Sequence, residues 1–182
     1  MNLIETKLRS EAVYDGNLLH IRRDEVRLPN GAVSVREYNC HIGAVCIVPL
    51  TDDGRVLLEH QFRYATGEVI TELPAGKLDA PDEDPLAAAQ RELREETGAA
   101  AEKWIPLGVF YPAVAYSTEI IHMYAAVGLT FGETEMDEDE FLETELVPLN
   151  AAVDAVLAGN IPDSKTQAGI LRAALMRERG QL

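Results

Sequence analysis

Basic residues are scarce. Lys and Arg number 16 against 31 Asp and Glu, a formal charge of −15. Gripping nucleic acid through its backbone requires clustered Lys and Arg that displace counterions, and no such patch is visible, so nucleic acid is not an expected partner. The same charge makes any phosphate-bearing ligand a problem unless a cation stands between it and the chain. Cysteine is nearly absent. Cys40 and Cys46 lie six apart on a Val/Ile-rich segment and read as core thiols rather than a disulfide or a metal site. His20, His41, His60 and His122 are scattered without the His-x-x-x-His or Cys/His spacing that zinc needs. No run is apolar enough to span a bilayer. The opening MNLIETKLRSEA lacks the apolar block of a secretory signal, so the expected compartment is the cytoplasm. Neither a nucleophile elbow nor a Gly-rich phosphate loop occurs. Trp104, the one tryptophan, is expected to pack rather than to stack a base.

What is present suits an ordinary globular domain: 182 residues, 47% of them hydrophobic. Alternating polar and apolar residues on both sides of Asn30-Gly31 predict a hairpin. GAVCIVPL and RVLLEHQFR, joined by Thr51-Asp-Asp-Gly54, predict a second hairpin with a more buried first strand. EVITEL reads as a short strand halted by Pro74 and Gly76. Further strands are expected around WIPLGVFY, EIIHMYAAVGL and FLETELVPL. Helices are expected at about 150–158 and 164–179, the latter carrying Ile170, Leu171, Ala174 and Leu175 as a core stripe. The resulting class is mixed α+β, helices packed on antiparallel sheets.

The helix before Gly98 carries the chemistry. Asp84 suits its N-cap, Pro85 its first position and Gly98 its left-handed stop. Leu86, Ala89 and Leu93 form an apolar stripe, while Glu92, Glu95 and Glu96 project from one side. Like charges at that spacing cost roughly 0.2–0.5 kcal/mol per pair, and Arg91 with Glu95 returns only one compensating pair. One reading is a solvated charged face. The other is a site for a hard divalent cation, which takes carboxylate oxygens and bridges to phosphates.

The wider spacing bears on that choice. Gly76, Glu83, Arg91-Glu92-Leu93, Glu95-Glu96 and Gly98-Ala99 resemble the Nudix box, G-x5-E-x7-R-E-U-x-E-E-x-G-U with U apolar. Six residues separate Gly76 from Glu83 instead of five. Either a residue is inserted at Ala80-Pro81-Asp82 or Asp82 replaces the box glutamate, and the insertion is favoured because surface loops accept length cheaply. Outside the box, VRLPNG with Arg36-Glu37, GAVCIVPL, Gln61-Phe62-Arg63-Tyr64, Glu72-Leu-Pro-Ala-Gly76, Ser117-x-Glu119, DEDEFLE and GNIPDSKT resemble the ADP-ribose pyrophosphatase and nucleoside-diphosphate-sugar hydrolase branch. The branch's second proline after the box is replaced by Val114, which leaves the sugar open and keeps GDP-mannose and broader nucleoside-diphosphate-sugar hydrolysis as alternatives.

The resemblance implies a Nudix α/β/α sandwich with a mixed sheet at 41–182, preceded by a small antiparallel sheet at 1–40 that serves dimerisation. It implies hydrolysis of a diphosphate bond with Mg²⁺, for which Mn²⁺ can substitute. Glu92, Glu95, Glu96 and the carbonyl of Ala75 match the metal ligands. Arg91 matches the residue that orients a glutamate by ion pairing, and Arg63 the arginine that meets the diphosphate. Arg36, Glu72, Ser117 and Glu119 match further substrate-binding positions, Arg36 being equally able to pair across its hairpin. Eight acids fall within the thirteen residues from Glu133 to Glu145. Glu138 and Glu140 among them match a general base or an extra metal ligand, since glutamates that ligate metal are poor bases. The implied partners are a nucleotide sugar and a second copy of the chain, with no nucleic acid or membrane. A catalytically silent Nudix sensor is the rival reading from another class, and such modules tend to lose the metal set that is intact here.

Overall fold

A computed structural model describes residues 2–135 and 141–182. The chain forms two compact units: Met1–Ile42 with Tyr111–Ile120, and Gly43–Phe110 with Ile121–Leu182.

The first unit is an antiparallel sheet in the order β1 (Thr6–Asp15), β2 (His20–Arg27), β3 (Val33–Asn39). The expected hairpin joins β2 and β3. Gly31 N–H donates to the Leu28 carbonyl at 2.9 Å and Leu28 N–H to Ala32 at 2.8 Å, closing the turn around Asn30-Gly31. β1 had no strand signal of its own because polar residues break its alternation. It pairs with β2 through two register shifts, at Lys7/Arg9 and Ala12/Tyr14. The 111–120 segment joins this unit through Asn39, whose N–H donates to Tyr116 and whose carbonyl accepts from Thr118.

The second unit has a sheet in the order β10 (Leu142–Pro148), β5 (Arg55–Arg63), β4 (Ala44–Leu50), β9 (Ile121–Phe131), β8 (Ala99–Phe110). β6 (Glu68–Glu72) pairs with β5, and β7 (Ala75–Lys77) pairs with β4. β4 runs parallel to β9 and its other partners are antiparallel, so the sheet is mixed, as the resemblance implied, and not the antiparallel sheet that the strand pattern suggested. All seven residues of β4 are buried. Each fully buried Val or Ile there contributes about 1.5–3 kcal/mol. Cys46, Val48 and Leu50 pack toward α2 (Leu149–Leu157) and α3 (Ser164–Glu178). Val45 and Ile47 pack toward α1 (Pro85–Thr97). Strand alternation thus puts helices on both faces, the α/β/α sandwich that the family resemblance implied.

Three expectations need correction. The β4–β5 turn forms, yet the two strands pair in register only at Leu50 and Val56, and β7 pairs with Ala44, Val45 and Cys46 of β4 instead. Gly76 does not end a strand but lies within β7. On α3, Ile170 and Ala173 are buried, whereas Leu171 and Leu175 are 39% and 46% exposed, so the core stripe is narrower than read. Of the packing expectations, those for Trp104 and Cys46 hold. Trp104 packs edge-on to Tyr124 at 6.3 Å. Cys46 is a free core thiol pushed up to about 12 by burial, and Cys40 is free and half-buried. No helix among the described residues is long and apolar enough to cross a membrane.

Candidate active site

Helix α1 starts and stops where its sequence dictates. Asp84 caps it, accepting from Leu86 N–H at 3.4 Å, with Pro85 at the first position; Gly98 closes it at φ +66°, donating to the Arg94 carbonyl. Ala88, Ala89 and Leu93 are buried against the sheet and Leu86 only partly. That seating turns the carboxylates toward the strand leading out of β6. Glu92, Glu95 and Glu96, together with Ala75, Gly76 and Glu135, line a cavity of about 220 Å³.

Arg91 organises the cluster. Its guanidinium lies 2.8 Å from Glu92, 3.0 Å from Glu95, 3.4 Å from Asp79 and 3.6 Å from Glu83. Burial works against the Arg91 charge, but Glu92 and Glu95 outweigh it and hold its pKa above the ordinary arginine value. Glu83 also accepts from Asp79 N–H at 2.6 Å, so Glu83 ties the loop back to the helix, while Asp82 is exposed. This is the geometry of a one-residue insertion in the preceding loop.

Glu96 is only 5% exposed and accepts from Ala75 N–H at 3.1 Å, locking helix to loop. Among the described residues, no three His, Cys, Asp or Glu side chains already converge on one point at metal-ligand geometry. Arg91 and the Ala75 amide occupy carboxylate oxygens of Glu92, Glu95 and Glu96 instead. The donor set nonetheless fits a hard divalent cation, since it is all oxygen, mostly anionic and set around a small cavity. Gly76 adds an independent sign: a Cβ built there would overlap the Glu92 carboxylate, so the backbone keeps this space clear for that group.

A second cluster sits at the end of β5 and the start of α3. Arg63 grips Glu72 with two bonds, Nε to Oε1 at 2.6 Å and a terminal nitrogen to Oε2 at 3.0 Å. Lys165 also bonds Glu72, and reaches Asp163 at 3.0 Å. Burial alone would raise the Glu72 carboxyl, but Arg63 and Lys165 hold it below the usual glutamate value. Burial would likewise lower Lys165, yet Asp163 and Glu72 keep it above the usual lysine value. Asp163, the N-cap of α3, is held low against its own burial by Lys165 and Thr166. Carboxylates lowered in the fold stabilise it above their unfolded values, 4.5 and 3.8, and that stability is lost as pH falls through their folded values. Lys165, raised in the fold, stabilises it below 10.5 and loses this only above that value. The melting temperature is therefore expected to hold through the neutral range and to fall below about pH 4. Glu72→Gln should flatten that acid limb; an unchanged limb in this variant would show that Glu72 contributes nothing to it.

Thr166 links the two clusters. It is fully buried, and its hydroxyl accepts from Leu73 N–H at 2.8 Å, fixing the Leu73–Ala75 loop that borders the carboxylate cavity. Thr166→Val leaves that buried amide without its partner, an expected loss of about 1–3 kcal/mol. The same variant should raise the metal concentration needed for half-maximal activity, which thermal melts and metal titrations would check.

The remaining predicted residues belong to the first unit. Arg36 pairs with Glu5, its Nε 2.9 Å from Oε2, rather than across the β2–β3 hairpin. Ser117 Oγ accepts from Glu119 N–H at 3.1 Å, and Glu119 lies 4.0 Å from His41. Ser117 and Glu119 line a cavity of about 390 Å³ with Leu19, Tyr38 and Tyr116. Glu138 and Glu140 lie outside the described residues. Sequence reasoning assigned no role to Asp79, Glu135, Asp163, Lys165 or Thr166. One signal was available: a lysine in the first turn of a helix opposes the helix dipole, so its charge must be answered by nearby carboxylates.

A mixed sheet between helices, with a capped glutamate helix facing a glycine-bearing loop, defines a Nudix-type hydrolase. The chain belongs to the Nudix family, whose domain matches residues 41–167; the nucleoside diphosphate sugar hydrolase N-terminal domain matches residues 5–39. It is 36% identical to an ADP-ribose pyrophosphatase of Bacillus subtilis, over 98% of this chain and 99% of that one. An ADP-ribose pyrophosphatase of Mycobacterium tuberculosis is 38% identical, over 90% of this chain and 80% of its own length. A solved structure titled as that of an ADP compounds hydrolase superposes with a TM-score of 0.87 at 25% identity, covering 100% of both chains.

Proposed function

We propose that the protein hydrolyses the diphosphate bond of an ADP-ribose-like nucleoside diphosphate sugar, yielding a nucleoside monophosphate and a sugar phosphate, with Mg²⁺ as cofactor and Mn²⁺ as a substitute. The observation that carries this reading is the cavity framed by Glu92, Glu95, Glu96 and Gly76, with Arg63 presented from the same unit. Glu92, Glu95, Glu96 and the Ala75 carbonyl would hold the metal. When bound, Mg²⁺ neutralises the diphosphate and lowers the pKa of a water.

The chain's own residues do the rest. Arg91 keeps Glu92 and Glu95 aligned and offsets their mutual repulsion before substrate arrives. Arg63 spends two donors on Glu72 and has others of its five to offer the diphosphate. Glu138 or Glu140 takes the proton from the attacking water, whose oxygen ends on one phosphate while the bridging oxygen leaves with the other. Arg36, Ser117 and Glu119 are read as further substrate-binding positions. The first unit also serves dimerisation: Leu3, Ile4, Val13, Tyr14 and Leu18 are each more than half exposed, apolar surface that a second copy would cover. Sedimentation at 20.0 kDa with full activity would remove the dimer.

ADP-ribose, ADP-glucose, GDP-mannose and UDP-glucose assayed side by side with Mg²⁺ test the substrate class. At least one should be turned over well above any nucleoside triphosphate. Preference for triphosphates would reject this reading, and tight binding without turnover would favour a sensor.

A further inference from the structure

The cluster at the start of α3 holds charges that the diphosphate chemistry above does not use. Arg63 and Lys165 are its two cations. Arg63 bonds Glu72, and Lys165 bonds both Glu72 and Asp163, so two cations answer two carboxylates. Glu72 satisfies the inner edge of the Arg63 fork while Arg63 itself stays 44% exposed beside a cavity of about 370 Å³, which Lys165 and Asp163 also line. Lys165, at 14% exposure and with Glu72 and Asp163 already bonded, is placed to act on Glu72 and not on a ligand in bulk solvent. Without the ammonium, Glu72 would draw fully on Arg63, and the cavity beside it would carry an extra negative charge.

We propose that Lys165 is a positioning residue for diphosphate recognition: it neutralises Glu72 so that the Arg63 charge is available to the substrate, and Asp163 sets how much of the Lys165 charge is left for that task. This rests on the diphosphate reading of Arg63. It makes a prediction in which the sign of charge, not the loss of a contact, decides the outcome. Lys165→Met makes the cluster one charge more negative. Asp163→Asn makes it one charge more positive and keeps an N-cap, since asparagine caps as well as aspartate.

For the nucleoside diphosphate sugar that wild type hydrolyses, Lys165→Met is expected to raise KM about tenfold at low ionic strength, with kcat changed much less, because a charge acting at short range through a partly buried site is worth at least that. Added salt should narrow the gap. Asp163→Asn should leave KM equal or lower it. If both variants raise KM, or if Lys165→Met lowers kcat while KM stays put, the proposal is wrong and the cluster is only structural. Should Lys165→Met fail to fold in thermal melts, Asp163→Asn decides alone: an increased KM overturns the proposal. Titration of the three proteins with inorganic pyrophosphate, without metal, separates this inference from the functional reading. Binding weakest in Lys165→Met and tightest in Asp163→Asn supports it even if wild type hydrolyses no nucleotide sugar, and the reverse order rejects it.

Discussion

Glutamine in place of Glu92 or Glu96 will reduce turnover by on the order of 10²–10³-fold, the scale set by removing one preorganised electrostatic group from a reacting centre, while the fold persists. Glutamine keeps the shape of both side chains. At Glu96 its amide oxygen can still accept from Ala75 N–H, so the link between α1 and the Leu73–Ala75 loop survives. At Glu92 the change removes the charge of one partner of Arg91, which retains Glu95 at 3.0 Å and Asp79 at 3.4 Å. Each substitution also removes a like-charge neighbour from the helix, so the melting temperature should be unchanged or slightly raised. Turnover measured at saturating Mg²⁺ beside a thermal melt separates the two effects. Near-normal rates in both variants would reduce the carboxylate helix to a solvated charged face.

Gly76→Ala is expected to remove activity by about 100-fold with little loss of stability. The added methyl would overlap the Glu92 carboxylate. Because that carboxylate is the far end of a flexible side chain, it can swing aside cheaply, and the backbone at Gly76 is not in the left-handed region that only glycine tolerates. The cost falls on the site: a ligand displaced by about an ångström can lose on the order of 10²-fold in rate. Activity and metal affinity falling together, with an unchanged melt, is the expected signature. A variant that melts much lower would instead show Gly76 to be needed for packing.

The parts of this architecture legible in the sequence were those fixed by local chemistry. Asp84, Pro85 and Gly98 announced both ends of α1, and Asn30-Gly31 announced its hairpin, because capping and turn geometry depend on a few adjacent residues. The buried run of β4 was equally plain, but its neighbours were not. Whether β5, β7 or β9 pairs with it depends on contacts tens of residues apart, and β4 proved parallel to β9. The carboxylate face of α1 could be read from its three- and four-residue spacing. What spacing could not supply was the junction of Arg63, Glu72, Asp163 and Lys165, drawn from β5, β6 and the start of α3. Glu72 illustrates the gap: read as a substrate-binding position, it lies 4% exposed with both oxygens bonded to Arg63 or Lys165. Thr166 was equally hidden, since nothing in a lone threonine says that its hydroxyl takes the Leu73 amide.

The central claim is metal-dependent cleavage of a diphosphate bond joining a nucleoside to a sugar. Incubating the protein with ADP-ribose and Mg²⁺, with and without EDTA, and resolving the products tests it most directly. AMP and ribose 5-phosphate formed in equal amounts, and abolished by EDTA, is the predicted result. If neither ADP-ribose nor any other nucleoside diphosphate sugar yields a nucleoside monophosphate, or if EDTA leaves the rate unchanged, the account is contradicted.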